Sequence, residues 1–250
     1  MIEQGILNPF SLVEVGHGIT RPTYAIVTIG GLSQRCVVKT AGHKEIAAEC
    51  FCSLLGSSLG LPTLRPVIVR NPIDDALWFG SREVGYPNLS AHLGIGDFAN
   101  TTQMLALASI LTAWSQVGHV ISFDELIANG DRNPGNVLWN GAVFTIIDHE
   151  RALGIQPMSL NKLAQFATNN FDPAHIGSVQ SASMGAALAQ QSMLSADASI
   201  FNSIAGEFSG IPNEVGQHIG DCFDIAKKLL PMMANNTANA MSPLFARQTP

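Results

Sequence analysis

Two hydrophobic periodicities divide the chain. Short apolar runs with a period of two occupy the first third, and apolar stripes at helical spacing occupy most of the rest. The pattern predicts strands at residues 11–15, 24–29, 35–38, 64–69 and 76–79. It predicts helices at residues 43–59, 101–118, 121–128, 160–167, 184–208 and 214–230. The expected fold class is therefore α+β, with a β-rich part before a helical part.

A polar loop followed by a predicted hairpin interrupts the helical part. The loop spans residues 130–136, and the apolar runs 136–139 and 142–147 follow it. Asn140-Gly141 joins the two runs, and this dipeptide favours a type I′ turn in which both residues have positive φ. The second run ends at Asp148, so the hairpin should return this residue to the side of the loop.

The loop and the hairpin together predict phosphoryl-transfer chemistry. Asp131 and Asn136 are separated by four residues, which is the spacing of a kinase catalytic loop, and Asp148 takes the metal-ligand position. An aspartate can accept or orient the proton of an attacking hydroxyl, and hard oxygen ligands hold Mg²⁺. Each residue alone could be structural, as a turn former or a strand end. The three in this order favour phosphoryl transfer over that interpretation.

Residues that precede this loop in the chain form a pattern typical of a nucleotide-binding site. The turn Gly16-His17-Gly18, two strands and then Lys39 follow the order in which kinases cover the phosphates of ATP and contact them with an ammonium. Glu45 and Glu49 lie one helical turn apart on the next helix, and either could pair with Lys39. Glu49 is the better candidate because its neighbours are residues of the buried type.

The strand at residues 76–79 is expected to lead into a crossing to the helical part. A hinge at this position would offer backbone groups to an adenine edge, and Phe79 and Gly80 are the candidate residues. Residues 87–99 are rich in Gly, Pro and Asn and are expected to form a loop. Residues 235–250 lack a period and are expected to form a loose tail.

Composition narrows the possible partners. The chain has 250 residues, 46% hydrophobic and 13% charged, with a net charge of -6. No basic face is evident, so direct binding of nucleic acid is disfavoured. The N-terminus lacks a signal-peptide pattern, and the longest apolar run, residues 104–114, is too short for a membrane span. A cytoplasmic protein with free, buried thiols is expected.

These residues resemble a known family, the HipA-like kinases, and in particular the compact domains without the extra N-terminal subdomain. The resemblance covers roughly residues 10–155 and rests on residues 16–22, 37–39, 49, 59–62, 130–136 and 147–149. Aminoglycoside-type phosphotransferases share the Gly-Asp…Asn arrangement of the loop and the Ile-Asp pair after the hairpin. The dipeptide Asp131-Arg132 favours the resemblance to the HipA-like kinases. Two departures are Asn133, where histidine is usual, and Asp148-His149-Glu150, where many kinases have Asp-Phe-Gly.

The resemblance implies a two-lobed, protein-kinase-like fold. A small β-rich N-lobe would span residues 1–88, and a helical C-lobe would span residues 89–250. Lys39 would contact the α- and β-phosphates of ATP and pair with Glu49, and Asp131 would act as the base or orienter. Asn136 and Asp148 would hold Mg²⁺, and the residues near Gly16, His17 and Gly18 would cover the triphosphate. Arg132 would either stabilise charge on the transferred group or pair with Asp124.

Three functions remain open on the sequence. The first is an ATP-dependent Ser/Thr protein kinase, and the second is a small-molecule phosphotransferase. A short segment after Asp148 favours the second, because it leaves little surface to hold a peptide. The third is a non-catalytic nucleotide-binding module of a toxin–antitoxin or defence system. The complete set of Lys39, Asp131, Asn136 and Asp148 argues against this third function.

Overall fold

The computed structural model describes residues 1–14, 22–96, 99–156 and 160–242. The strands are β1 (Glu3–Leu7), β2 (Val13–Glu14), β3 (Thr23–Ile29), β4 (Leu32–Thr40), β5 (Pro66–Arg70), β6 (Leu77–Arg82), β7 (Val137–Trp139) and β8 (Phe144–Ile146). The helices are α1 (His43–Ser58), α2 (Leu89–His92), α3 (Thr101–Thr112), α4 (Val117–Leu126), α5 (Lys162–Asn170), α6 (Pro173–Ala196), α7 (Ala198–Glu207), α8 (Asn213–Gly216), α9 (Ile219–Leu229) and α10 (Met233–Ala240).

The larger sheet closes on itself. Its strand order is β1-β5-β6-β4-β3-β2, and β1 also pairs with β3. β1 runs parallel to β5, and the remaining pairs are antiparallel. Both glycines of the β3–β4 turn, Gly30 and Gly31, have positive φ, as a two-residue type I′ turn requires. Five strands therefore enclose a small apolar interior, which contains Leu7, Ala25, Val27, Ile29, Cys36, Val38, Val67 and Val69.

Strand alternation decides which side chains of the closed sheet face outward. Since Cys36 and Val38 point inside, their neighbours Val37 and Lys39 point out of β4. In β6, Gly80 lies against Val38 and Val69, where an added Cβ would come within 2.9 Å of the Val69 side chain. The outer face of β5 and β6 packs on α1. Lys39 is thereby presented to the same side of the sheet as α1.

A second, larger core joins α1, the outer face of the sheet and the helices that follow. It runs from Ile46 and Phe51 on α1 through Phe123 on α4 to Ala226 on α9. This apolar cluster crosses residue 88, so the predicted division into lobes at 1–88 and 89–250 stays a prediction. Among the described residues no single helix has the length and hydropathy of a membrane span; α3 and α4 together pass that test, but they meet at 90°.

The N-terminal strands differ from the prediction. The apolar pattern does not predict β1, because Gly5 interrupts it. Glycine is required at this position because a Cβ added there would lie 2.4 Å from a methyl group of Val27. The predicted strand at residues 11–15 is wrong over its first residues. Pro9–Ser11 form a 3₁₀ turn that Asn8 caps, and strand pairing begins at Val13–Glu14; residue 15 lies outside the described residues.

The helical part has more breaks than predicted. The helix expected at residues 101–118 ends at Thr112, and the chain turns so that Trp114 is buried and stacks on Phe144 at 4.6 Å between ring centroids. Helix α6 begins well before the predicted start at residue 184, and Asp172-Pro173 is a typical helix N-cap followed by proline. The predicted loose tail is wrong for residues 235–240, because they belong to α10, which buries Met233 and Thr237 and packs on α4 and α6.

The hairpin of β7 and β8 is confirmed, but its turn is wider than predicted. Trp139 pairs with Phe144, which leaves four residues in the loop. Only Gly141 of the predicted Asn140-Gly141 turn has positive φ. The Asn140 side chain instead accepts hydrogen bonds from the N–H groups of Ala142 and Val143, at 3.0 and 2.8 Å. An Asx-type cap therefore replaces the two-residue turn.

Candidate functional site

A cavity of about 590 Å³ lies between the outer face of the sheet and the loop before β7. This volume is typical of a small-molecule site. Tyr24, Val37, Leu138 and Ile147 give it apolar walls. Its charged lining residues are Lys39, Glu49, Arg82, Glu83, Asp131, Asp148, Glu150, Arg151 and Lys162. The predicted turn Gly16-His17-Gly18 lies outside the described residues.

Lys39 stands at the centre of a buried charge cluster. Its Nζ pairs with Glu49, lies 2.6 Å from Oδ1 of Asp148 and lies 2.9 Å from Oε2 of Glu150. Burial alone would lower the pKa of this ammonium, but the three carboxylates outweigh burial and raise the pKa above its usual range. Lys39 is therefore held as a cation at the cavity wall.

Glu49 fixes both Lys39 and the segment after β8. It is 1% exposed, and its Oε2 accepts the backbone N–H of His149 at 2.8 Å. Burial would raise the pKa of Glu49, but Lys39 and the hydrogen bond from His149 outweigh it and lower the pKa. Of the two glutamates considered on α1, Glu49 makes the pair with Lys39. Through Glu49, helix α1 thus contacts both Lys39 on strand β4 and His149, the residue that follows Asp148.

Asp148 adopts an unusual backbone conformation. Its φ is +67°, in the left-handed region that few residues other than glycine adopt. Such conformations persist where the surrounding structure imposes them, and they concentrate at functional sites. Here the neighbouring His149 is held by Glu49, and Ile147 donates its N–H to the carbonyl of Asn136 at 3.1 Å. The result is a carboxylate directed at Lys39.

Arg132 supports this arrangement from behind the cavity. It is 1% exposed and makes two hydrogen bonds to the carboxylate of Asp124, at 2.9 and 3.2 Å. Its third nitrogen donates to the carbonyl of Ile147, next to Asp148. Of the two roles considered for Arg132, the structure contains the pair with Asp124. Arg132 does not line the cavity, so it is not positioned to stabilise a transferred group.

Replacing Arg132 with methionine should destabilise the fold by about 3–5 kcal/mol, because the buried Asp124 would keep only a neutral partner, the side-chain amide of Asn129. Chemical denaturation measures this change. The control is Arg70→Met, which removes the exposed pair with Asp75 and should cost less than about 1 kcal/mol. A second variant, Arg132→Met with Asp124→Leu, should recover part of the loss. Equal stability of Arg132→Met and the wild type would contradict a structural role for this pair.

The loop before β7 holds Asp131 through its main chain. The Asp131 carbonyl accepts hydrogen bonds from the side-chain amides of Asn133 and Asn136, at 3.1 and 3.0 Å. Asn133 also accepts the N–H of Gly135 at 2.8 Å, so its side chain links the main chain at Asp131 to the main chain at Gly135. Since the Nδ2 of Asn136 is committed to this carbonyl, its Oδ1 remains for a cation in the cavity.

Two cations contact the Asp131 carboxylate. Arg151 lies 2.9 Å from Oδ2, and the ammonium of Lys162 contacts Oδ1. Arg151 follows the Asp148 segment, and Lys162 is the first residue of α5. The Lys162 N–H also donates to the carbonyl of Gly130 at 3.2 Å, which docks the start of α5 on the loop. The two predicted acids therefore have separate cationic neighbours: Lys39 at Asp148, and Arg151 with Lys162 at Asp131.

The predicted crossing segment is displaced along the chain. Phe79 lines the cavity. Gly80 does not line it, because its Cα faces Val38 and Val69 in the interior of the closed sheet. β6 continues to Arg82, and the residues that line the cavity after it are Glu83, Val84, Gly85, Tyr86, Pro87 and Asn88. The Tyr86 hydroxyl lies 2.9 Å from that of Thr145 on β8, which ties this segment to the hairpin. The hinge candidates are therefore residues 83–88.

A buried carboxyl lies behind α5. Glu125 is 5% exposed and accepts the side-chain amide of Asn161, the N-cap of α5, at 3.0 Å. Burial raises the pKa of Glu125 to about 7, against a smaller lowering by the bond from Asn161. An unfolded chain loses this proton at lower pH, so between about pH 4.5 and 7 the folded state binds the extra proton. Stability from this group therefore falls as the pH rises through that window.

Replacing Glu125 with glutamine should remove this dependence. The variant should gain stability over the wild type as the pH rises from about 5 to 8, by up to on the order of 3 kcal/mol. Urea denaturation at several pH values measures the difference. Glu214→Gln, at an exposed carboxylate on α8, is the control and should show no such trend. A constant difference between Glu125→Gln and wild type across this range would show that Glu125 does not titrate there.

Sequence patterns did not identify Glu150, Arg151 or Lys162 as parts of the site. Glu150 lies two residues after Asp148, and in an extended segment this spacing places two side chains on the same side. The sequence could therefore have indicated that Glu150 lines the same cavity. Arg151 and Lys162 carry no such signal, because the docking of α5 on residue 130 brings Lys162 to Asp131. The structure brings together Lys39, Glu49, Asp131, Asn136 and Asp148, as predicted; their chemical roles remain predictions.

Comparisons with known proteins support the fold at a coarse level. No protein-family model matches the chain, and no curated protein matches it. Among solved structures, the chain is similar to the proinflammatory kinase CtkA of Helicobacter pylori. The TM-score is 0.58 at 11% identity, over 94% of this chain and 96% of that one. An identity this low bears on fold alone, so the chain has an α+β, kinase-like fold, and the HipA-like resemblance stays a prediction.

Proposed function

We propose that the chain is an ATP- and Mg²⁺-dependent phosphotransferase that acts on a hydroxyl group. One observation carries the proposal. Lys39, paired with Glu49, shares a cavity with Asp131, Asn136 and Asp148, although more than 100 residues separate Lys39 from Asp148. A kinase-like fold supports the same class of reaction at a coarse level.

The side chains fit the substrate and the metal that this proposal implies. Asn136 and Asp148 offer amide and carboxylate oxygens, the hard ligands that Mg²⁺ prefers. The apolar walls at Tyr24, Val37 and Leu138 suit a planar base. Bound there, Mg²⁺ would neutralise charge on the phosphates. Lys39 would add a fixed positive charge on the same side, after exchanging its contact with Asp148 for one with a phosphate oxygen.

Asp131 is proposed as the group that activates the acceptor. Its carboxylate would accept the hydroxyl proton while the acceptor oxygen forms a bond to the γ-phosphorus. The bond from that phosphorus to the β,γ-bridging oxygen breaks, and ADP leaves with the electron pair. The side-chain amides of Asn133 and Asn136 donate hydrogen bonds to the Asp131 carbonyl, and these bonds hold Asp131 in place during this step. Catalysis would therefore rest on positioning and electrostatics.

Transfer of label from γ-labelled ATP tests the proposed function and separates its versions. Label on a protein Ser or Thr supports the kinase version that the HipA-like resemblance implies. Label on a small molecule supports the alternative of the aminoglycoside-kinase type. Both should require Mg²⁺ and disappear when EDTA is present. Binding of ATP without transfer to any acceptor or to water would contradict enzymatic activity. It would support the third function, a non-catalytic nucleotide-binding module.

A further inference from the structure

The side of the cavity at Asp131 carries a charge pattern that the proposed chemistry does not use. Asp131 is a single carboxylate with two cations on it, Arg151 and Lys162. The other acids of the cavity are engaged elsewhere: Glu49, Asp148 and Glu150 surround Lys39, and Glu83 pairs with Arg35 at 2.9 Å. The surroundings of Asp131 therefore carry a net positive charge.

Neither cation has a second acidic partner among the described residues. Arg151 and Lys162 each make their ion pair with Asp131. Arg82, by comparison, pairs with Glu3 at 2.6 Å, away from Asp131. The Lys162 side chain is 50% exposed and that of Arg151 is 29% exposed, so a ligand can reach both. Two long cationic side chains thus stand at the cavity with only the catalytic candidate to neutralise them.

Both carboxylate oxygens of Asp131 contact a cation, and each oxygen can accept a second hydrogen bond. A hydroxyl that bonds to either oxygen therefore lies directly beside Arg151 or Lys162. Since these two cations share a single carboxylate, a positive charge next to the acceptor stays unneutralised. A negative group on the acceptor would satisfy that charge, whereas a positive group would add a third cation to the cluster.

We infer that Arg151 and Lys162 select an acceptor that carries a carboxylate or phosphate group next to the hydroxyl it offers. This inference rests on the proposed function and names the substrate class of the same site. It opposes a cationic acceptor, which the net charge of the chain would permit. The nucleotide side has its own cation in Lys39, so the pair at Asp131 is available for the acceptor.

Two probe series test the charge preference. Gluconate, glucose and glucosamine form a small-molecule series, and peptides with one serine flanked by glutamate, alanine or lysine form a peptide series. Coupled assay of ADP release gives kcat/KM for each probe. The wild type should favour the anionic member of at least one series over the neutral member by on the order of tenfold, equivalent to about 1.4 kcal/mol. The series that responds identifies the source of the anionic group.

Variants of Lys162 assign the preference to this site. Lys162→Glu should abolish the preference through the KM for the acceptor, with the KM for ATP unchanged, and Lys162→Arg should retain it. Lys228→Glu is the control, since Lys228 is exposed on α9 and outside the cavity. It should behave as the wild type does.

Two results would overturn the inference. One is the absence of an anionic preference in both series, whether the probes react equally or not at all. The other is a Lys162→Glu variant that slows all probes and acceptor-free ATP hydrolysis alike, because that would place Lys162 on the phosphates. Mg²⁺-dependent ATP binding and acceptor-free hydrolysis are measured in parallel. If the wild type shows neither ATP binding nor hydrolysis, the proposed function itself is refuted. If it shows both but has no charge preference among acceptors, only this inference is refuted.

Discussion

Replacing Asp131 with asparagine should lower the rate of phosphoryl transfer by on the order of 10²–10⁴, the usual contribution of a general base. The affinity for Mg²⁺-ATP should stay close to that of the wild type. The reason is that Asn133 and Asn136 hold the loop through the Asp131 carbonyl, which the variant keeps, so that only the ion pairs with Arg151 and Lys162 are weakened. The variant should therefore retain its fold and its nucleotide site while losing the group that accepts the proton.

Single-turnover transfer from γ-labelled ATP measures the rate, and calorimetry measures the affinity. Asp74→Asn is the matched control, because Asp74 is an exposed aspartate in the β5–β6 turn and asparagine can still accept the N–H of Ala76. It should leave both quantities unchanged. Transfer by Asp131→Asn at the wild-type rate would show that this carboxylate does not activate the acceptor.

Replacing Asp148 with asparagine should weaken Mg²⁺-dependent ATP binding by on the order of 100-fold or more, since even indirect partners of a bound metal contribute about 10–100-fold. Asparagine tolerates the positive φ of this position, so the backbone should stay in place. The substitution removes a negative charge that faces Lys39 at 2.6 Å, and it replaces the carboxylate ligand proposed for Mg²⁺ with a neutral amide.

Titration of ATP with and without Mg²⁺ separates this effect from a general loss of binding. The weakening should be confined to the Mg²⁺ condition. Asp75→Asn is a close control, because Asp75 also has positive φ, at +61°, but lies on an exposed turn outside the cavity. An Asp148→Asn variant that binds Mg²⁺-ATP as tightly as the wild type would exclude Asp148 as a metal ligand.

The parts of the site that local rules control could be predicted from the sequence. Strand alternation places Lys39 on the outer face of β4, and helical spacing with buried-type neighbours favours Glu49 over Glu45. The hairpin signal correctly brings Asp148 back to the loop of residues 130–136, although the predicted turn type is wrong. The hairpin forms despite the different turn because its strands are paired by apolar residues that pack on Trp114 and on the core.

Features set by contacts between distant segments could not be predicted in the same way. The pairing of β1 with β3 closes the sheet, and its main trace in the sequence is Gly5, a residue type that turns and loops also favour. The sequence does not mark the end of β6, which continues to Arg82, so the prediction places Gly80 at the crossing and not inside the strand. Lys162 reaches Asp131 because α5 docks on the loop, which no periodicity encodes.

The position of the terminal phosphate in a complex with Mg²⁺ and a non-hydrolysable ATP analogue tests the proposed function most directly. The proposed function predicts the terminal phosphate between Lys39 and the Asp131 carboxylate. Mg²⁺ should be held by oxygens of Asn136 and Asp148 at about 2.0–2.1 Å. A nucleotide bound outside the cavity, or one with its phosphates directed away from Asp131, would contradict phosphoryl transfer at this site.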